Sequence, residues 1–134
     1  MNVAFTNAVF RAMRADLDGQ PRVGRSARGL GVRITGRFAD LPVGADGSVQ
    51  PGTGGMSVAV GEARHLPKHR RPRSLGGEGR DPIFSLHMAE LADGLAVRVD
   101  RDPHALIEPA LRCPLPDYEQ ALASTRPSWS KSHD

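Results

Sequence analysis

Arg11, Ser57, His104 and Glu108 are residue types that can together hold and break a glycosidic bond in a phosphorylated ligand. Cleaving the nicotinamide bond of NAD develops positive charge on the ribose. A carboxylate beside the sugar stabilises that oxocarbenium-like state and can hold a ribose hydroxyl. Glu108 can supply this group, with His104 as a second catalytic candidate. An arginine on a first strand, Arg11, and a small hydroxyl, Ser57, suit the fixing of a dinucleotide in a cleft. Ser57 follows a glycine turn in PGTGGMSVAV (Pro51 to Val60), where Gly54 and Gly55 lack a Cβ and leave the backbone open to a ligand. Each signal has an ordinary counterpart: glycine clusters mark turns, and a glutamate in a short strand is commonly a surface residue. The reading therefore requires Arg11, Ser57 and Glu108 to converge on one pocket wide enough for a dinucleotide.

The elements that must position these groups are short. Val3 to Met13 fits alternating faces of a strand and also a helix with Phe5, Val9, Ala12 and Met13 on one side. The turn residues Asp16, Asp18, Gly19 and Pro21 directly afterwards favour the strand. From Asp18 to Pro51 the chain is punctuated by glycine, and only Leu30 to Ile34 and Phe38 to Val43 look able to pack, as two short strands. In Met56 to Val60 bulky residues alternate with Ser57 and Ala59. Asp81 to His87 reads as a strand, Met88 to Gly94 as a short helical turn, and Leu95 to Val99 as the strongest strand pattern. Asp100 to Pro103 is a turn. His104 to Ala110 places His104, Leu106 and Glu108 on one face and Ala105 and Ile107 on the other, with Pro109 at an edge or strand end. Pro114 to Ser124 is the clearest helix, with Pro116 early, Asp117 and Glu119 near its start, and Leu115, Tyr118 and Leu122 at spacings of three and four. The last residues read as a frayed tail from which Trp129 folds back. The organisation is one domain over residues 1–127 and a flexible tail over 128–134.

Composition agrees with a loop-rich fold. Apolar residues make up 39% and aromatics 4%, while Gly 15 and Pro 11 approach a fifth of the chain, so long helices are not its framework. The formal charge is +3 and the pI about 9.7, which suits an anionic ligand, nucleic acid or an acidic partner. The cations concentrate in Gly61 to Gly79, GEARHLPKHRRPRSLGGEG, which reads as a surface loop. His65, Lys68, His69, Arg70, Arg71 and Arg73 can approach phosphates there, of a dinucleotide or of a nucleic acid along Arg64 to Arg80. No aromatic residue interleaves them to stack bases. Cys113 is the single cysteine, which excludes an intrachain disulfide and a cysteine-based metal site. His65 and His69 are four apart, but Pro67 breaks the helix a metal pair would use, so no metal site is expected. No stretch has the length to cross a bilayer, and no membrane association is expected. A non-catalytic basic binding module for nucleic acid or an acidic protein is the alternative to an enzyme.

Three segments in the same order resemble the Tse-two family of type VI secretion effector toxins, whose fold is similar to the ADP-ribosyltransferase toxins. They are VFRAMRADLDG (Val9 to Gly19), TGGMSV (Thr53 to Val58) and HALIEPALRCPLPDYEQAL (His104 to Leu122), about a quarter of the chain. The resemblance implies an α+β single domain with two small packed β-sheets around an NAD-binding cleft and a C-terminal helix. It also implies a cytoplasmic toxin, delivered into a target cell and held with an immunity or antitoxin partner. Arg11 falls at the family's first-strand arginine, Ser57 at the hydroxyl of the glycine strand and His104 at the last-strand histidine. Glu108 departs from the family pattern and is more like an active transferase, which leaves transfer to a target and hydrolysis of NAD both open.

Overall fold

The computed structural model describes residues 7–133. Six strands form one antiparallel sheet: β1 (Ala8–Ala12), β3 (Met56–Val60), β4 (Ile83–His87), β5 (Leu95–Arg101), β6 (His104–Pro109) and β8 (Ser130–His133), in the order β5-β6-β3-β1-β4-β8. Two-residue strands β2 (Ser48–Val49) and β7 (Cys113–Pro114) make a second, and α1 (Leu115–Ser124) follows β7. The chain is thus a small α+β domain with two antiparallel sheets and one C-terminal helix. Strand, not helix, is the outcome for the first segment, whose Val3 to Thr6 lie outside the described residues.

The large sheet is two three-stranded halves. Five residue pairs join β1 to β4 and four join β3 to β6, but β1 meets β3 at only two, Val9 with Val60 and Phe10 with Ala59. Beyond that seam the strands part.

Alternation along each strand divides the apolar residues between two faces. Val9, Met56, Val58, Phe84, Leu86 and Ile107 lie on one face, covered by Tyr118 and Leu122 of α1 and by Trp129. Pro116 near the helix start, Asp117 in the first turn and the three- and four-residue spacing of Leu115, Tyr118 and Leu122 account for the helix and for the side it buries. Tyr118 donates its hydroxyl hydrogen to the Ile107 carbonyl (2.6 Å) and accepts from the Met56 N–H, which ties α1 to β6 and β3. The opposite face carries a smaller cluster, Ala12, Ala59 and Ile83, on which Ala63 and Leu66 of the basic segment settle.

Two expectations fail. Leu30 to Ile34 and Phe38 to Val43 are not strands. Leu30, Val32 and Leu41 join the main core from irregular backbone, Phe38 is 70% exposed beneath the Arg37 guanidinium, and the backbone bonds go to turns and side chains such as Asp40. The tail does not fray from residue 128: Ser130–His133 pair with β4 as β8, and Trp129 is fully enclosed, its indole N–H donating to the Thr125 hydroxyl. Among the described residues no helix is long and apolar enough to cross a membrane.

Candidate anion-binding cavity

A cavity of about 520 Å³ opens where β1 and β3 part. That volume is within the usual range for small-molecule sites. Arg11, Ser57 and Ala59 form its floor, and His104, Asp102 and Arg101 its rim at the β5–β6 turn. His65, Leu66, His69 and Arg70 of the basic segment make the opposing wall, and Arg33 and Asp40 close a side. No residue of β2 or β7 takes part, so the cleft lies at a parting within the larger sheet, not between the two sheets.

Arg11 is 6% exposed and works mainly on the backbone. Its Nε donates to the Gly29 carbonyl (3.0 Å) and Nη1 to Ser57 O (2.7 Å), while Nη2 is shared among the carbonyls of Ser26, Ala27 and Gly31. The guanidinium replaces the strand that β1 lacks beyond the seam. Burial lowers its pKa to about 10, a shift that the charge of Asp40 opposes, and it stays cationic at neutral pH.

His104 keeps its rim position through Asp100, whose Oδ1 lies 2.6 Å from Nδ1. Desolvation raises the Asp100 pKa, but the His104 hydrogen bond and charge, with two backbone N–H groups, outweigh it and leave the carboxyl below its ordinary value. His65 donates from Nδ1 to the Val60 carbonyl. Asp40 is held by the Arg33 fork (2.9 Å) and by the Arg33 N–H.

Arg11, Ser57 and His104 meet at the cavity, and Glu108 does not. Glu108 shares a strand face with Ser57 and His104, but the four residues of strand from His104 span about 13 Å, and Glu108 lies opposite Gly55, beyond the cavity wall. Its carboxylate is 7% exposed and accepts from Arg98 Nε (2.8 Å) and the Gly52 N–H (3.0 Å), clamping the glycine turn to β5 and β6. Gly54 and Gly55 are not on the cavity either. A Cβ on Gly55 would lie 2.5 Å from Ile107 O, so the missing side chain admits the neighbouring strand, not a ligand. Asp40, Arg101 and Asp102 had no sequence signal, and Arg33 read by default as a solvated loop charge, as did Arg22, Arg25, Arg28 and Arg37. Arg33, Asp40 and Asp102 reach the cavity through loops whose paths periodicity does not encode, and Arg101 from the end of β5.

Near Arg70 of the basic segment, Arg28 forks onto Asp81, with both contacts at 2.7 Å. The Arg28 hydrogen bonds hold the Asp81 carboxyl below its ordinary pKa of about 3.9, against a smaller desolvation effect. A depressed carboxyl contributes stability that is complete above its unfolded-state pKa and is lost as pH falls through the lower folded-state value. The protein should therefore lose stability below about pH 4. Asp81→Asn should be less stable at neutral pH with a shallower acid limb. Urea unfolding at several pH values checks this, and parallel acid limbs would exclude a role for the pair.

In sequence, the chain matches no family model and no curated protein.

Proposed function

We propose that the protein is a bacterial toxin that takes NAD into this cavity and acts as an ADP-ribosyltransferase-like enzyme on an intracellular target, with an immunity or antitoxin protein as its natural partner. The observation that carries the reading is the parting of β1 and β3 around a cationic cavity, with Arg11 and Ser57 from separate strands at its floor. The three ordered segments that resemble the effector toxins contribute Arg11, Ser57 and His104 to that one place. An ADP-ribosyltransferase-like arrangement is also in keeping with the two half-sheets.

In this reading Arg11 and Ser57 shape the floor and His104, oriented by Asp100, stands at the mouth. Glu108 is not on the cavity, so the carboxylate open to the ribose is Asp102 at the β5–β6 turn, which has no cationic partner among the described residues. Glu108 stays paired with Arg98 and braces the glycine turn. The basic segment supports a cavity more than a nucleic-acid surface, since Arg64 is paired with Glu62, Lys68 lies near Glu78, and Arg70 and His69 turn to the cavity.

Incubating the purified protein with NAD labelled in the adenylate part, plus bacterial lysate, tests the reading. Label should pass to a lysate component, or nicotinamide should be released. Asp102→Asn should lower the rate on the order of 100-fold while NAD affinity changes by less than about threefold, whereas Glu108→Gln should act mainly on stability. Folded wild-type protein that neither transfers label nor releases nicotinamide would overturn it.

A further inference from the structure

Four guanidinium groups line the cavity, and their hydrogen-bonding capacity is unequally spent. A guanidinium has five N–H donors in a planar fork. Arg11 commits its Nε, one Nη1 hydrogen and its Nη2 group to carbonyls. Arg33 gives its fork to Asp40. Arg70 and Arg101 make no side-chain hydrogen bond or ion pair among the described residues. The two cavity cations free to receive a ligand thus come from the basic arm and from the end of β5, and Asp102 is the one lining carboxylate without a cationic partner among the described residues.

Arg70 is also held in place. Its N–H donates to Pro67 O (2.8 Å), and the following turn is closed by Arg71 N–H to the same carbonyl and by Gly79 N–H to Arg71 O. Partial burial lowers its pKa, with repulsion from Arg28 and Arg33 adding to the shift and Asp81 and Asp40 opposing it. A partly desolvated cation without an ion-pair partner gains from an anion brought beside it. Two free forks at one cavity suit a ligand with two linked anionic groups.

We infer that Arg70 and Arg101 form a pyrophosphate seat in this cavity, with Arg70 as the principal contact and Arg11 supplying background charge from the floor. The basic arm is then a ligand-holding wall, and the seat takes nucleoside diphosphates as a class. The inference deepens the NAD reading, because NAD contains a pyrophosphate, and rests on it for the choice of probe.

Calorimetry with ADP, AMP and inorganic pyrophosphate, without any nicotinamide compound, tests it. ADP should bind more tightly than AMP, and Arg70→Ala should weaken ADP about 10- to 100-fold. Arg101→Ala should weaken it about 3- to 10-fold, in keeping with greater exposure. Arg22→Ala, which removes the same charge from a surface ion pair with Asp16, should change it less than about twofold. Circular dichroism establishes that each variant is folded. Equal ADP affinity in wild type and folded Arg70→Ala, equal losses in Arg70→Ala and Arg22→Ala, or no ADP binding at millimolar concentration would each overturn the seat. ADP binding with this pattern but no nicotinamide release from NAD supports the seat and removes the enzyme. Nicotinamide release with an unchanged KM for NAD in Arg70→Ala removes the seat and leaves the enzyme.

Discussion

Arg11→Lys is expected to destabilise the fold by about 3 kcal/mol, and to lower the Tm by roughly 10 °C, even though the charge is kept. The planar fork of Arg11 reaches carbonyls on both sides of the seam, from the 26–31 segment and from Ser57. A lysine ammonium has three donors at one point and cannot reproduce that span. Several buried carbonyls would then lose their partner, each at about 1–3 kcal/mol, with water from the adjacent cavity recovering part. Urea unfolding measures the loss. A lysine variant as stable as wild type would show that the carbonyl contacts contribute little and that Arg11 serves the cavity alone.

Gly54→Ala is expected to cost roughly 3 kcal/mol or more, and Gly52→Ala only about 1 kcal/mol. Both glycines have positive φ, +155° at Gly54 and +80° at Gly52. A Cβ on Gly54 would lie 2.2 Å from Asp40 O and 2.9 Å from the Leu41 Cα, whereas one on Gly52 meets nothing within 4 Å. The pair of variants separates backbone conformation from close packing, since only Gly54 combines the two. Equal costs in denaturant unfolding would mean that the 40–41 segment yields easily, and that the glycine turn has the permissive role its sequence suggests.

The parts of the fold legible in the sequence are those whose hydrogen bonds are local or strictly periodic. α1 announces itself through Pro116, Asp117 and the spacing of Leu115, Tyr118 and Leu122. The faces of β6 follow from alternation alone, with Ala105 and Ile107 buried as the pattern requires. The 26–41 segment was illegible for the opposite reason. Its carbonyls are satisfied by Arg11 and its Arg33 N–H by the Asp40 side chain, so its apolar residues mimic strands without having a partner strand. β8 was missed because its sequence, Ser130 to His133, is polar and gains order only from the edge of β4.

The candidate site divides along the same line. Residue type and strand placement brought Arg11, Ser57 and His104 together, yet gave no measure of distance along β6, and Glu108 is too far along it to face the cavity. Gly54 and Gly55 were read as openings for a ligand, but the space that they leave is taken by Asp40, Leu41 and the β6 backbone. A glycine's freedom is visible in sequence. What occupies that freedom is decided by chain segments remote from it.

The seam between the half-sheets has a mechanical consequence. With β1 and β3 paired at two positions among the described residues, the ladder does not set the aperture of the cleft. That dimension is gauged by the 2.7 Å contact from Arg11 to the Ser57 carbonyl, a spacer inserted between two plates that share one core. Changing the length of that one side chain is therefore the most direct way to reset the width of the entrance, at a cost in stability to both plates.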